Sequence, residues 1–482
     1  MDLSRREVLG SSLALLAGGM ASTAVEAQKT EEYGAALTGL GITSALARFL
    51  SGIRYEDLSP EALHEARRAV LDWLGCALAG STHPTVGLLV ATLAELGSVP
   101  AATVLGRGRK LSLLDTAVAN GQMGHILDFD DTHLGGVILH TSTATLPALF
   151  ALGERHHSSG RDVMVALAAA FEAGIRVGQG ATSHHLGGWH LTGTLGTVAA
   201  GAGAARLLQL DEAQTTSALG IACTQAAGMQ QNRGSDCKSL HAGKSAYHGV
   251  LASMLASKGF SSSPEILEGN LGFTKIFSAT QENHAIVANL GGTWMIAGNG
   301  YKPYACGVVL HPLIDAMIEV SRKAARSAAD VASVEVLVHP DVIRITGIDT
   351  PNSGLMSKFS ANHAAAVAYI DQAAGVAQFT NERSADASVQ ALRKLIAVKP
   401  DPSFRLDQAA ATVRTTSGAA YEVEIAHALG TVSNPMSDQA LTEKFLENAT
   451  PVIGADRARK VLDITAKLDE LADIGELVRT CA

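Results

Sequence analysis

The sequence predicts a mainly helical protein, with one large all-helical domain built from the N- and C-terminal segments and an α+β segment inserted between them. Three observations carry this. Aromatic residues make up only 4% of the chain while glycine alone contributes 48 residues, a composition that suits closely packed helices joined by tight turns better than a β-sandwich. Apolar residues then recur at helical spacing through most of the N-terminal half. Beyond that the texture turns to alternating strands and a hairpin, and helical periodicity returns only near the C-terminus.

Taken in order, Ser4-Arg5-Arg6-Glu7-Val8-Leu9 precedes a weakly apolar run, Ser11–Met20, and Val25-Glu26-Ala27 places small residues at the two positions a signal peptidase reads. Residues 1–27 therefore resemble a twin-arginine signal peptide, which predicts folded export to the periplasm. Ser59-Pro60 supplies an N-cap and a first-turn proline, after which Leu63, Ala66, Val70, Leu74 and Ala77 mark a buried amphipathic helix ending near Gly80. Similar periodicity over 113–127, 162–178, 193–208 and 213–227 makes residues 28–272 the first segment of the helical domain. In 273–431 the pattern is α+β: a strand over 333–339, a hairpin whose arms 411–415 and 421–426 bracket Thr416-Ser417-Gly418, and helices over 360–373 and 385–398. Residues 432–482 return to helix, so this tail is expected to rejoin the first segment.

Composition excludes several classes. With 37 Lys+Arg against 46 Asp+Glu, a net charge of -9 offers no general attraction to nucleic acid, and no basic stripe or RNA-binding signature appears. Beyond the signal, no uninterrupted apolar run reaches the ~20 residues a spanning helix needs, so no membrane association is expected after cleavage. Cys76, Cys223, Cys237, Cys306 and Cys481 are odd in number and contain no CxxC pair, which predicts free thiols and no structural zinc.

Four polar clusters could carry chemistry. The densest is His125-Ile126-Leu127-Asp128-Phe129-Asp130-Asp131-Thr132-His133, followed by His140. Spacings of three and four would put His125, Asp128 and Thr132 on one helical face, and so many carboxylates need cations or an open cleft. No HxH or HExxH spacing supports a metal there. In the second, His190 precedes the glycine-rich helix start Thr192-Gly193-Thr194-Leu195-Gly196, whose N–H groups could cradle a carboxylate. The third gathers Arg233, Lys238, His241 and Lys244, suited to an anionic substrate or to developing negative charge. Gly243-Lys244-Ser245 is not a P-loop, because the glycine required five residues upstream of Gly243 is Lys238. The fourth, Gly300-Tyr301-Lys302-Pro303-Tyr304, sets a lysine among aromatic and rigid residues at the mouth of the α+β lobe, where desolvation would lower its pKa.

Together these segments resemble the MmgE/PrpD family, which includes 2-methylcitrate dehydratases, cis-aconitate decarboxylases and an iminodisuccinate epimerase. The resemblance rests on Leu58–Gly80, Asp128-Phe129-Asp130-Asp131-Thr132 with His140, His190 before Thr192-Gly193-Thr194-Leu195-Gly196, Lys238-x-x-His241-x-Gly243, Gly300-x-Lys302-Pro303-Tyr304, and Asn434-Pro435-Met436-Ser437 with Lys444-Phe445. Lys358-Phe359-Ser360 also falls where such a triplet is common. The resemblance implies an inserted lobe that closes as a lid, a homodimer, no cofactor or metal, and site residues at Asp128, Thr132, His140, His190, Lys238 and Lys302. Two features depart from it: His140-Thr141-Ser142 stands where members often have His-Pro-Ser, and the lid tyrosine of the decarboxylases has no evident counterpart.

These residue types suit proton abstraction next to a carboxylate, with Lys238, Lys302 and Arg233 stabilising the carbanion. One of His140 and His190 would act as base and the other, or a lysine, as acid; Asp128 would tune its neighbours, and Thr132, Arg233 and His241 would bind substrate. The first expectation is a cofactor-free lyase that dehydrates a citrate-like polycarboxylate. Epimerisation or decarboxylation of a related acid is the alternative, and a non-catalytic periplasmic carboxylate binder is the alternative from another class.

Overall fold

The computed structural model describes residues 41–324 and 327–482; the proposed signal peptide lies outside the described residues. Helices dominate; apart from an antiparallel pair of β1 (Ala102–Val104) and β2 (Arg109–Leu111), the small sheets lie mostly in the second half of the chain. Helix α1 (Pro60–Ser81) starts where the Ser59 side chain accepts a hydrogen bond from the Ala62 N–H at 3.1 Å. It packs on α2 (Leu113–Ile126), which in turn lies against α3 (Thr141–His156) and α6 (Asp236–Ala256). Two further core helices, α4 (Gly160–Gly180) and α5 (Leu191–Leu207), complete the bundle. Helix α4 is long and apolar enough to cross a membrane by composition, yet it is packed almost wholly inside the protein.

Small residues set the tightest crossing. A Cβ added to Gly121 in α2 would come within 2.6 Å of the Gly243 Cα, and one added to Gly243 within 2.2 Å of the Val118 carbonyl oxygen. Only glycine lets these two helices touch backbone to backbone, and that contact brings the start of α6 beside the end of α2.

The α+β portion is built on a four-stranded sheet of order β6-β5-β7-β8, from β5 (Val331–Val338), β6 (Ile396–Pro400), β7 (Ala409–Thr415) and β8 (Ala420–Ile425). The β5–β6 pair is parallel and the others antiparallel. Helix α7 (His311–Ala324) packs on β7, on β8 and on α8 (Ala361–Asp371). The sequence expectation of one helix over 385–398 is corrected. Asp386 caps a short helix, Ala387–Arg393, and the following residues form β6. Local spacing could not reveal β6, because its pairing partner Val334–Val338 lies some sixty residues upstream.

Helix α9 (Asp438–Ile453) packs along α1, so the C-terminal segment meets the N-terminal one. The buried Lys444 ammonium fixes this contact, donating to Asp72 Oδ1 and to the Phe129 carbonyl, each at 2.6 Å. A two-residue ladder joins β3 (Thr132–His133) to β4 (Asn299–Gly300), tying the loop after Asp128 to the segment that carries Lys302. All five cysteines are free.

Candidate active site

Helix α2 ends at Ile126, and Asp128 adopts a left-handed backbone with φ 52°. Asp128 and Thr132 therefore do not continue a helical face with His125, as their spacing had suggested; the chain turns at Leu127 and Asp128, which aims the carboxylate sideways. Two ammonium groups meet it. Lys238 Nζ donates to Oδ2 at 2.9 Å, while Lys302 Nζ donates to Oδ1 at 2.5 Å and to the Asp128 carbonyl at 3.1 Å. Burial alone would raise the Asp128 carboxyl, but the two lysines outweigh it and hold it well below the usual carboxylate range.

The lysines differ. Burial lowers Lys238 even with Asp128 beside it, since the Lys302 charge opposes it as well. Burial also disfavours the Lys302 ammonium, but there the attraction of Asp128 and Asp130 prevails and its pKa is raised. The sequence expectation for Lys302 is thus corrected in two respects. It lies not at a cleft mouth but in the interior, with 1% of its surface exposed, and it is held as a fixed cation. Besides Lys238, Lys358 is depressed: fully buried, it is brought down to about 8 mainly by burial, with Lys302 and Lys238 adding to the effect.

His140 and His190 share the cleft with these charges. His140 is the N-cap of α3 and His190 the N-cap of α5, while Lys238 stands in the first turn of α6. Three long helices therefore point their N-termini at one place, where unpaired N–H groups and the helix dipoles favour anions. The cleft is lined by Asp128, Ile138, His140, His185, His190, Leu191, Arg233 and Lys238, together with Lys302, Gly307, Val308, Val309, Ile345 and Phe359 from the α+β portion. Among the described residues no tyrosine lines it; Tyr301 and Tyr304 instead donate to Glu65 and Asp315, both away from the cleft.

His140 Nδ1 faces the Asp131 carbonyl at 3.0 Å and Asp130 Oδ2 at 3.2 Å, both acceptors. It therefore carries the proton, which leaves Nε2 as the basic nitrogen. Thr132 Oγ1 lies 3.1 Å from the same Nδ1 and is fully buried, so Thr132 orients His140 and does not face the cleft. His190 Nδ1 lies 2.8 Å from His241 Nδ1, so one of these nitrogens donates to the other, and His241 stands behind His190. Burial lowers both His140 and His190, the latter well below the ordinary imidazole range with help from Lys238 and His125. Both rings are neutral at neutral pH. Arg233 lines the cleft and is tethered by a hydrogen bond to Gln230 at 2.6 Å, with His185 nearby, its pKa lowered by burial to about 4.

Sequence reasoning missed four contributors. Asp130 accepts a hydrogen bond from the His125 Nδ1–H at 2.9 Å, and in that buried setting the His125 pKa falls to about 3. Asp131 accepts from Ser142 at 2.5 Å and from Asn299 at 2.6 Å, and burial together with Asp72 raises its carboxyl well above the usual range. Lys358 was noted only as part of a triplet, and His185 not at all. The clustering of Asp130 and Asp131 with His125 was the one available signal for the first two. His125, Asp130 and His140 offer atoms close enough together to hold a metal ion, although both Nδ1 groups here meet the Asp130 carboxylate with protons.

The description of the MmgE/PrpD N-terminal domain matches residues 44–285, and that of the MmgE/PrpD C-terminal domain matches residues 304–470. The chain belongs to the MmgE/PrpD family. Among curated relatives, the cis-aconitate decarboxylase of Aspergillus terreus is 27% identical over 469 residues, covering 91% of this chain and 95% of its own. The human and mouse cis-aconitate decarboxylases are each 26% identical, covering 90% and 91% of this chain and 93% of theirs. With such relatives, this chain is an enzyme of the MmgE/PrpD family.

Proposed function

We propose that the protein is a lyase that removes water from a citrate-like tricarboxylate, starting with proton transfer at a carbon next to a carboxylate. The observation that carries this is the convergence of three helix N-termini, two neutral histidines and the Lys238–Asp128–Lys302 cluster on one cleft. A tricarboxylate entering it meets Arg233, Lys238 and the N-terminal N–H groups of α3, α5 and α6. His140 or His190 takes the proton as its ring becomes cationic. The electron pair moves into the adjacent carboxylate, whose aci form Lys238 and Lys302 stabilise. The hydroxyl on the neighbouring carbon then leaves as water with a proton from the Lys238 ammonium or from the histidine that has just become cationic, and a C=C bond forms. Asp128 keeps both lysines charged, and closure of the α+β portion as a lid would exclude water from the carbanion.

The relatives favour a second reading, decarboxylation of a cis-aconitate-like acid. There the Lys238 ammonium delivers a proton to the vinylic carbon, the double bond shifts, and the allylic carboxylate leaves as carbon dioxide. Incubation with 2-methylcitrate, citrate and cis-aconitate in deuterated water decides between them. Alkene formation with deuterium exchange supports dehydration, and carbon dioxide release supports decarboxylation. Exchange without either product would point to an epimerase. Tight binding without exchange or product would leave a carboxylate-binding protein and defeat the proposal.

A further inference from the structure

The Lys358-Phe359 dipeptide comes from the α+β portion and grips the charge cluster from behind. Lys358 Nζ donates to the Leu127 carbonyl at 2.7 Å and to the Ala305 carbonyl at 2.6 Å. The first carbonyl immediately precedes the left-handed residue Asp128, and the second lies three residues after Lys302. The Lys358 carbonyl accepts from the Gly307 N–H at 3.1 Å, so the same residue holds the Lys302 loop twice. Beside it, the Phe359 ring lies 5.3 Å from the Lys238 ammonium and forms part of the cleft wall.

A fully buried ammonium on two carbonyls is costly unless its position matters, because each carbonyl could be satisfied more cheaply by a neutral donor. Here the two carbonyls belong to chain segments far apart in sequence, and each carries one partner of the Asp128–Lys302 contact. We propose that Lys358 is a positioning residue that holds the Asp128 turn and the Lys302 loop in register, so that the lysine–carboxylate cluster is assembled only when the α+β portion is seated. The catalytic part of this inference rests on the lyase reading above; the structural part does not. Lys358 touches no reacting atom, so it acts through Asp128 and Lys302. Its loss should affect the step in which carbanion charge develops more than substrate capture, for which Arg233 and the helix N-termini remain.

The test compares the wild type with Lys358→Met and Lys358→Arg, by crystal structure and by turnover of whichever tricarboxylate the wild type converts. In Lys358→Met the Lys302–Asp128 contact should open beyond hydrogen-bond reach, and kcat should fall about 10- to 100-fold with KM changed less than about threefold. Lys358→Arg keeps a charged donor and should recover most of kcat. Should the methionine variant fail to fold, Lys358→Gln, which keeps N–H donors without charge, takes its place under the same criteria. An intact contact together with wild-type kcat in either uncharged variant overturns the proposal, as does an equal rise in KM without loss of kcat. A wild type that turns over none of the acids, beside a variant whose contact has opened, would defeat the lyase reading and leave the positioning role standing.

Discussion

Replacing Lys302 by methionine removes a charge from the interior with little change in volume, so its effect isolates the ion pair. Lys302 Nζ lies 2.5 Å from Asp128 Oδ1, and both side chains are almost wholly buried. Breaking a buried pair by deleting one partner costs about 3–5 kcal/mol, because the remaining charge is left without compensation. Asp128 keeps Lys238 at 2.9 Å, so the lower end, about 3 kcal/mol, is expected. With an unfolding entropy of about 2.1 cal/mol/K per residue, that lowers Tm by roughly 3 °C for a chain of this length. Asp128 is depressed and Lys302 raised in the folded state. Their contribution is thus fully present between the unfolded carboxyl pKa of about 3.9 and the unfolded lysine pKa of about 10.4. It is lost only as pH falls through the folded Asp128 value or rises through the folded Lys302 value. Differential scanning calorimetry at neutral pH reads the stability term, and kcat should fall about 10²- to 10³-fold for loss of one preorganised electrostatic stabiliser. A Lys302→Met protein with unchanged Tm and unchanged turnover would refute the reasoning, since no buried, reaction-facing cation could be removed so cheaply.

Other outcomes follow from the same features. His125 and His311 are brought to about 3, and His133, His184 and His363 to about 4, chiefly by burial. The unfolded chain takes up their protons below about pH 6.5 while the folded one does not, so each costs up to ~1.4 kcal/mol per pH unit on acidification; a Tm unchanged between pH 7 and pH 5 would contradict this. Extended chelation should leave activity unaltered, and a loss restored by zinc or manganese, with the metal confirmed by elemental analysis, would make His125, Asp130 and His140 ligands. Lysine at both Arg5 and Arg6 should trap precursor in the cytoplasm, because twin-arginine recognition reads guanidinium geometry as well as charge; periplasmic arrival of that variant on fractionation would remove the export proposal.

What the sequence determined by itself is the local part. Ser59, followed by apolar residues at helical spacing, dictates α1, because capping and amphipathic burial act within a few turns. Alternation dictated β5 and the β7–β8 hairpin for the same reason. The candidates Asp128, His140, His190, Lys238 and Lys302 were visible because polar groups in apolar helical surroundings need partners, and the structure brings all five to one cleft. Tertiary structure alone decided which partners they found. Lys238 and Lys302 reach Asp128 across 110 and 174 residues, through a glycine–glycine helix contact and a two-residue ladder that no local pattern encodes. It also decided that Thr132 and His241 stand behind the histidines, that Lys302 is a fixed interior cation, and that burial depresses Lys238 and Lys358. Each of these depends on burial and on the net field of neighbouring charges. Both are properties of the packed chain as a whole, so the sequence names the charged groups while only their arrangement in space sets how each one behaves.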